Sequence, residues 1–265
     1  MKVTFVGMAT VILEIGGTRI ITDPVLDPPG TDYTLGSTGV VRYTNLVGPA
    51  LQDVDLDTID YALVSHDHHK DNLDREGRDL LKSISQTITT VPGGKRLRDR
   101  HGVKTVGLRP WQNHQVTLRD GSTLKITATP ARHGPPIIAQ VLAGDVIGFL
   151  LEWQGFRNGA VYLTGDTRLF SGVRKVAKDF DVGTVMMNLG AGQFNVTKSV
   201  CYSMPASEGA QVAGLFPSAS IIPLHYDGWS HLGEDKDDVT RAFSAPALAS
   251  RLKWLPRGET IDLDT

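Results

Sequence analysis

Short apolar or β-branched runs, each ending at a polar residue, recur along the chain. Residues 61–64, 124–129, 160–164 and 220–223 are runs of this kind, and glycine, proline or aspartate lies at their boundaries. Such runs are typical of β-strands. By the same criterion we expect strands near residue 3 and at residues 11–14, 19–22, 87–91, 104–107, 115–118, 146–153 and 184–188.

Helical patterns alternate with these strands, which predicts an α/β protein. We expect helices over residues 74–83, 169–178 and 207–216, and partly helical structure over residues 237–255. Ser207 is the expected N-cap of the third helix, with Glu208 in its first turn. No sequence repeat divides the chain, so we expect one domain over residues 1–265.

Polar residues that can bind a metal are concentrated directly after the predicted strand at 61–64. Residues 66–74 contain three of the chain's eight histidines and three aspartates. Imidazoles and carboxylates crowded at a strand end form a set of N and O ligands for a divalent cation. The alternative is a solvated turn that is rich in histidine.

Three distant segments have the same form. The predicted strands at 124–129, 160–164 and 220–223 are followed by His133, Asp166 and His225. Ligands placed at strand ends can converge on one edge of a sheet. Together with the histidine-rich loop, these three residues predict a single metal site built from four segments.

This order of motifs resembles the metallo-β-lactamase-fold superfamily, and within it the branch of ascorbate-6-phosphate lactonase-like proteins. The resemblance implies a four-layer αββα sandwich, in which two mixed β-sheets are flanked by helices, and it implies a metal-dependent hydrolase. The matching segments are Asp23 after a predicted hairpin, the loop at 66–74, Ala131-Arg132-His133-Gly134, Leu163-Thr164-Gly165-Asp166-Thr167, Met204-Pro205-Ala206-Ser207-Glu208 and Pro223-Leu224-His225-Tyr226.

The histidine-rich loop departs from the family's His-x-His-x-Asp-His pattern, and two alignments are open. The first matches His66 and His68 but puts Lys70 and Asp71 where the family has Asp and His. The second matches His69 and Asp71, with one extra residue after His66 and with Asn72 in the last position. We prefer the second alignment because it keeps the aspartate.

By resemblance, the second alignment assigns the metal ligands. It implies that His66, His69 and His133 form one site, that Asp166 bridges, and that Asp71 and His225 hold a second ion. His68 is then a spare ligand or a neighbour of the ligands. Asn72 weakens the second site, because an amide oxygen is a poorer donor than imidazole for a borderline-soft ion. We therefore expect one or two divalent metal ions, with zinc favoured and manganese, iron or nickel as alternatives.

The chemistry expected at such a site is hydrolysis by a metal-bound water, because a divalent ion can lower the pKa of that water to about 7. Asp71 is the candidate base toward the water. His231 is a candidate to orient the substrate or to donate a proton to the leaving group, with a surface-loop histidine as the alternative. No serine or cysteine nucleophile is required. The only cysteine, Cys201, is expected to be an inert buried thiol.

Arg132, Tyr226 and Trp229 are the candidate substrate-binding residues. Arg132 adjoins a proposed ligand and could contact an anionic group, with a surface ion pair as the alternative. Tyr226 and Trp229 could line the pocket or cap the core. Residues 24–48 form a long loop rich in proline and glycine, and a loop of this length is expected to cover the site.

Other histidines and aspartates have expected roles outside catalysis. His101 lies at an expected helix C-terminus, and His114 precedes a polar hairpin. Asp67 is expected to hydrogen-bond a ligand histidine.

Composition restricts the partners. The formal net charge of −2 gives no general electrostatic reason to bind nucleic acid or an anionic membrane. No apolar segment is long enough for a transmembrane helix, and a single cysteine fits a reducing compartment, so we expect a cytoplasmic protein. The oligomeric state, including a homo-oligomer, is left open.

The preferred function is hydrolysis of a small-molecule ester, lactone, amide or phosphoester. A nuclease or RNA-processing enzyme of the same superfamily, and a non-catalytic metal-binding or ligand-sensing protein on the same fold, are the alternatives.

Overall fold

The computed structural model describes residues 1–35, 41–135, 144–155, 158–194 and 200–263. The strands are β1 Lys2–Gly7, β2 Thr10–Ile15, β3 Thr18–Thr22, β4 Asp32–Leu35, β5 Val41–Thr44, β6 Tyr61–Leu63, β7 Gln86–Thr90, β8 Thr105–Leu108, β9 Asn113–Thr117, β10 Thr123–Pro130, β11 Ile147–Trp153, β12 Ala160–Leu163, β13 Val182–Asn188, β14 Ser220–Leu224 and β15 Thr260–Asp262. The α-helices are α1 Arg75–Leu80, α2 Val91–His101, α3 Ser171–Asp179, α4 Ala206–Leu215, α5 Lys236–Ala242 and α6 Pro246–Ala249. Among the described residues, no helix is long and apolar enough to cross a membrane.

Two mixed sheets form the centre of the molecule. The strand order is β15-β1-β2-β3-β6-β7-β8 in the first sheet and β14-β13-β12-β11-β10-β9 in the second. Their facing sides share one apolar cluster, to which Leu13 and Ile20 contribute from the first sheet and Ile126 and Phe149 from the second. Burial of these strands on both faces explains why their sequences are continuous apolar runs.

Helices cover the outer face of each sheet. Leu97 of α2 packs with Ile21 and Ala62 behind the first sheet, and Val173 of α3 and Val212 of α4 pack with Val185 behind the second. The order of layers is therefore helix, sheet, sheet, helix. The predicted αββα sandwich of two mixed sheets with flanking helices is confirmed.

Topology brings several strand ends to the same edge. Strand β10 is antiparallel to β11, and β11 is antiparallel to β12. Strand β12 is parallel to β13, which is parallel to β14. Strands β10, β12 and β14 therefore run in the same direction, and the segments that follow them, with His133, Asp166 and His225, start from one edge of the second sheet.

The beginning of α1 also fixes the chain on both sides of the histidine-rich loop. Asp74 is its N-cap, and its Oδ1 accepts a hydrogen bond from the Gly77 N–H at 2.8 Å. Its Oδ2 accepts from the N–H groups of Leu26 and Asp27, both at 2.6 Å. One buried carboxylate thus caps a helix and anchors the segment that follows β3.

The structure differs from the sequence analysis at three places. Ser207 is not the N-cap of α4, because Pro205 has that position and the Ala206 N–H donates to Glu234 Oε2 at 2.6 Å. A distant side chain replaces the local cap, which a local pattern cannot reveal. The loop at 24–48 contains the antiparallel strands β4 and β5, with residues 36–40 outside the described part. Strand β15 pairs with β1 and was not predicted.

Gly148 of β11 lies so close to the neighbouring strands that a substitution there tests the packing of the second sheet. A Cβ at this position would lie 2.5 Å from Thr129 Oγ1 and 2.6 Å from the Leu163 carbonyl oxygen. We expect Gly148→Ala to lower the free energy of unfolding by about 1–3 kcal/mol, as overpacked cores do. Urea denaturation of the full chain measures this change.

Gly214→Ala in α4 is the matched control, because a Cβ there meets no atom within 4 Å. Alanine in a helix should raise the free energy of unfolding by about 0.5–1 kcal/mol. Equal unfolding midpoints for Gly148→Ala and the wild type would contradict the packing described here.

Candidate metal centre

Three buried histidines bring their ring nitrogens together at the sheet edge. The Nδ1 atom of His69 lies 3.3 Å from His66 Nε2 and 3.0 Å from His133 Nε2. We call His66, His69 and His133 the histidine group, and it is one of two sets among the described residues whose ligand atoms lie within 4.8 Å of one another. Such convergence of imidazole nitrogens is the arrangement that a zinc-type ion requires.

The surroundings keep two members of the histidine group, His66 and His69, neutral. Burial, followed by the proximity of the other histidines, holds the pKa values of His66 and His69 well below the usual range of histidine. A neutral imidazole has a free lone pair at one nitrogen, and metal ligation needs that lone pair. These two side chains are therefore in the protonation state of a ligand.

Hydrogen bonds on the far side of the rings fix their orientation. Nδ1 of His66 lies 2.9 Å from Ser65 Oγ, and Nδ1 of His133 lies 2.9 Å from the carbonyl oxygen of Tyr202. Nδ1 of His225 lies 3.2 Å from the Leu189 carbonyl oxygen. In each ring the other nitrogen, Nε2, is directed to the centre, as is usual for metal-binding histidines.

Asp71, Asp166 and His225 form the second set, which we call the carboxylate group. His225 Nε2 lies 3.5 Å from Asp71 Oδ2 and 3.6 Å from Asp166 Oδ2. Burial disfavours the imidazolium form of His225, but the two carboxylates outweigh burial and raise its pKa to about 9. Loss of the His225 proton would therefore accompany cation binding at this group.

Asp71 stays ionised in spite of its burial. Desolvation acts to raise its pKa, but the neighbouring imidazoles of His225 and His231 hold that pKa well below the usual range of aspartate. His231 Nε2 lies 2.9 Å from Asp71 Oδ2. Asp71 therefore offers a negatively charged oxygen, whereas His66 and His69 offer neutral nitrogens.

Asp166 lies between the two groups. Its Oδ1 accepts a hydrogen bond from Asn188 Nδ2 at 2.8 Å. Its Oδ2 is buried without a hydrogen-bond partner, 3.8 Å from His133 Nε2 and 3.6 Å from His225 Nε2. One oxygen of Asp166 is thus held by the protein, and the other is directed to both groups.

Asn72 is oriented by Asp23. Asp23 accepts hydrogen bonds from the Ser65 N–H at 2.6 Å and from Asn72 Nδ2 at 3.4 Å. The Oδ1 atom of Asn72 is left buried and without a hydrogen-bond partner. Burial raises the pKa of Asp23 to about 7, against the hydrogen bonds from Ser65.

The polar atoms without partners fit a centre that binds metal. Buried polar atoms are normally hydrogen-bonded, so an orphaned atom calls for an explanation. Asp166 Oδ2, His225 Nε2 and Asn72 Oδ1 are all buried and unpaired, and the first two lie in the carboxylate group. Nitrogen and carboxylate donors of this kind suit Zn²⁺, Mn²⁺ or Fe²⁺.

The backbone around the centre is strained at several places. Met8, Asp23, Ala191 and His225 have φ angles of 52°, 33°, 47° and 59°, in the left-handed region that non-glycine residues avoid. The N–H of His225 donates to the Met8 carbonyl oxygen at 2.9 Å. Gly190 must be a glycine, because a Cβ there would collide with the His225 carbonyl oxygen.

The histidine-rich loop contributes His69 to one group and Asp71 to the other, and these are the two residues that the second alignment matches to the family pattern. The histidine group contains His69, whereas His68 lies beside it with its ring centroid 4.8 Å from that of His66 and 4.4 Å from that of His69. Asp71 is in the carboxylate group, and Lys70 is in neither.

His231 lies in an aromatic environment next to Asp71. Its ring stacks on Phe194 with centroids 5.4 Å apart, and it meets the edges of Tyr43 and Trp229 at 5.1 and 5.8 Å. We call Tyr43, Phe194, Tyr202 and Trp229 the aromatic cluster. Through Tyr202, whose ring centroid is 6.1 Å from that of His133, the cluster extends along both groups.

The three candidate substrate-binding residues have different surroundings. Arg132 donates to the Leu169 carbonyl oxygen at 3.2 Å and covers the ring of Phe170. Tyr226 is buried between Phe5 and Trp254, which favours its role as a cap of the core. Trp229 is buried in the aromatic cluster. Contact of any of them with a substrate stays a prediction.

Asp67 does not hydrogen-bond a ligand histidine, which corrects the sequence expectation. It accepts from Arg96 Nε at 2.8 Å, and this pairing lowers its pKa although burial acts the other way. The reason is the position of α2, which places the guanidinium of Arg96, 29 residues further along the chain, next to Asp67.

His101 and His114 have structural positions. His101 ends α2 before Gly102, and His114 pairs with Gln86 in the first half of the chain. Cys201 is half-buried.

Sequence reasoning missed several contributors to the centre. The carbonyl groups of Tyr202 and Leu189 carry no sequence signal, because every residue has a carbonyl. Tyr43 and Phe194 are aromatic residues in loops and strands far from the metal-binding motifs. Ser65, directly before His66, was the one partner whose position in the sequence could have indicated it.

The comparisons with known proteins agree with this geometry. The family described as "Beta-lactamase superfamily domain" matches residues 18–226. A UPF0173 metal-dependent hydrolase of Archaeoglobus fulgidus is 25% identical over 268 residues, covering 100% of both chains. A second protein of that description, from Caldivirga maquilingensis, is 22% identical and covers 98% of this chain and 96% of the relative.

Two solved structures have the same fold. An isothiocyanate hydrolase from Delia radicum gut bacteria superposes with a TM-score of 0.80 at 19% identity, covering 99% of each chain. A metallo hydrolase from Ignicoccus hospitalis gives a TM-score of 0.71 at 18% identity, covering 98% of this chain and 97% of the other.

Removal of one member of the histidine group should remove metal. We expect His133→Ala to lower the metal-to-protein ratio by about one ion per chain, because two nitrogens are too few for a tetrahedral site. Elemental analysis of protein purified without an affinity tag measures this ratio. His114→Ala, at a histidine that pairs with Gln86, should leave it unchanged. Equal metal content in both variants would remove His133 from the site.

Proposed function

The chain belongs to the beta-lactamase superfamily and, like its full-length relatives, is a metal-dependent hydrolase; from this premise we propose that its buried centre hydrolyses a small ester, lactone, amide or phosphoester. The position of Asp166 supports this proposal most strongly. A buried carboxylate oxygen without a partner, directed to both the histidine group and the carboxylate group, is suited to bridge two cations.

Each group of side chains has a part in the proposed reaction. His66, His69 and His133 would hold one ion, and Asp71 and His225 would hold a second, with Asp166 shared. Such ions, when bound, would supply a water with a pKa of about 7 and would polarise an oxygen of the substrate. The chain's own contribution is to fix the donor atoms and to move protons.

We assign the proton transfers to Asp71 and His231. Asp71 is held ionised by the neighbouring imidazoles of His225 and His231, so its carboxylate is free to take a proton from the attacking water. His231, whose Nε2 lies 2.9 Å from Asp71 Oδ2, can give its own Nε2 proton to the leaving group, and the proton that Asp71 took from the water then returns to His231. General acid–base groups of this kind contribute about 10²–10⁴-fold to the rate.

The aromatic cluster supports a small organic substrate with an apolar group. Phe194 is half-buried, and its ring contacts Tyr43, Tyr202 and His231 at centroid distances of 5.8, 5.4 and 5.4 Å. These side chains carry no net charge and lie beside both groups. The neighbour described as an isothiocyanate hydrolase is a reason to include an isothiocyanate with the esters and lactones in a substrate screen.

The two groups differ in the metal that they would prefer. Three imidazole ligands favour zinc, whereas Asp71, Asp166 and His225 form a harder donor set that accepts manganese or iron. Asn72, with its Nδ2 turned to Asp23, would offer an amide oxygen to the second ion. We therefore propose zinc at the histidine group, and a more weakly held second ion.

The finer expectations of the sequence stay predictions. They are the likeness to the lactonase-like branch, a cytoplasmic location, a small-molecule partner in place of a nucleic acid or a membrane, and a single domain. The likeness to the lactonase-like branch is the reason to include lactones in the substrate screen.

Variants at Asp71 and His231 test the proposed reaction. With the protein loaded with zinc or manganese, we expect Asp71→Asn to lower kcat/KM on the best ester or lactone by about 10²–10⁴-fold. His231→Gln should lower kcat by about 10²-fold while leaving the metal content unchanged. Steady-state kinetics and elemental analysis on the same samples measure both effects.

His101→Gln is the control, because His101 is exposed at the end of α2. It should match the wild type in both measurements. A loaded wild type without turnover on esters, lactones, amides, phosphoesters and isothiocyanates would reject the proposal and favour the ligand-sensing alternative.

The role of Phe194 in substrate preference can be tested separately. We expect Phe194→Ala to raise KM for a phenyl ester about two- to tenfold relative to a methyl ester, because an aromatic contact contributes about 0.5–1.5 kcal/mol. Phe180→Ala is the control, since Phe180 is also half-buried but stacks on Trp111 after α3. The same KM ratio for both variants would show that the aromatic cluster does not contact the substrate.

A further inference from the structure

We propose that Arg168 is a positioning residue for the histidine group, and that it acts on His133 through the main chain of Cys201 and Tyr202. This inference rests on the proposed function, because it assumes that the histidine group holds a metal ion. Arg168 itself belongs to neither group of ligands.

The guanidinium of Arg168 joins a carboxylate to a main-chain carbonyl. Its Nε and Nη2 donate to Glu208 Oε2 at 3.0 and 2.6 Å. Its Nη1 donates to the carbonyl oxygen of Cys201 at 3.0 Å. The side chains of Arg168 and Glu208 are only 24% and 16% exposed, so solvent screens the pair less than it would at the surface.

The acceptor on Cys201 belongs to the peptide unit that leads to Tyr202. The N–H of the same peptide unit donates to the Gly192 carbonyl oxygen at 2.9 Å. Both polar ends of the unit are therefore fixed, one by Arg168 and the other by Gly192. The next carbonyl, that of Tyr202, lies 2.9 Å from His133 Nδ1 and sets the orientation of that ring.

A second connection reaches His133 from the same segment. The N–H of Arg168 donates to the Arg132 carbonyl oxygen at 2.9 Å, and Thr167 Oγ1 accepts from the Arg132 N–H at 2.9 Å. These contacts hold the backbone directly before His133. Because they do not involve the guanidinium, a substitution of the Arg168 side chain leaves them in place and isolates the path through Tyr202.

The path from the guanidinium reaches the histidine group before the carboxylate group. The peptide unit that the guanidinium fixes is followed directly by the Tyr202 carbonyl, the partner of His133. His225, in the carboxylate group, is oriented by the Leu189 carbonyl oxygen, which the same segment contacts one residue later, through Ser203 Oγ at 3.0 Å. An arginine is needed because its planar fork donates in fixed directions to two different acceptors, which the single ammonium of lysine cannot do. We therefore expect Arg168→Gln and Arg168→Lys to weaken metal binding at the histidine group more than at the carboxylate group.

A titration of the metal-free full chain with Co²⁺ tests the proposal, with the visible absorption bands reporting coordination geometry. We expect Arg168→Gln to weaken the tighter Co²⁺ site by about 10–100-fold, the usual effect of removing an outer partner of a metal-binding histidine, and to change its spectrum. Arg168→Lys should fall between this variant and the wild type. In a His133→Ala background, Arg168→Gln should cause no further loss of Co²⁺ affinity.

Arg251→Gln is the matched control. Arg251 also donates to main-chain carbonyls, those of Phe216, Ala219 and Ala213 at 2.8, 2.9 and 3.1 Å, but at the other end of α4. It should lower the unfolding midpoint without changing Co²⁺ affinity. If Arg168→Gln does not fold, Glu208→Gln replaces it, with a smaller loss of affinity expected because the arginine keeps a hydrogen-bond acceptor.

The outcomes separate the two proposals. A wild type that binds no Co²⁺ would reject the metal centre itself. A wild type that binds Co²⁺, together with Arg168 and Glu208 variants whose affinity and spectrum equal those of Arg251→Gln, would overturn the positioning role alone. A further loss in the His133→Ala background would also overturn it, because the effect would then not pass through His133.

Discussion

The structure of the centre follows from the cost of burying ionisable side chains at the edge of an apolar sandwich. Four imidazoles and two carboxylates lie there, all shielded from water. An isolated charge in such a place is strongly disfavoured, so the groups must become neutral or compensate one another. His66 and His69 take the first course and stay neutral, and the carboxylate group takes the second, with His225 as the cation between Asp71 and Asp166.

This division accounts for the hydrogen bonds around the centre. Each outward-facing imidazole nitrogen of His66, His133 and His225 has an oxygen partner, and one oxygen of Asp166 has the amide of Asn188. The inward-facing atoms have no such partners, and Asp166 Oδ2 and His225 Nε2 are unpaired. The protein thus satisfies the outer side of each ligand and leaves the inner side for a cation.

The sequence predicted the parts of this arrangement that depend on local pattern. Strands such as β10 and β12 were recognisable because buried strands are apolar runs, and their order indicated that His133 and Asp166 meet. The oxygen partners of the histidines were not predictable, since a carbonyl has no signature in sequence. Asp67 and Ser207 show the same limit, because Arg96 and Glu234 reach them from distant segments.

The left-handed backbone at Met8, Asp23, Ala191 and His225 has a consequence for the evolution of this protein. Each such residue costs about 1–3 kcal/mol, which only the surrounding packing offsets. Random mutagenesis followed by selection for heat resistance would favour glycine at these positions, since glycine adopts positive φ without strain. At Asp23 and His225 the same exchange would delete a side chain of the centre, so a heat-selected lineage would drift toward a robust but inert scaffold.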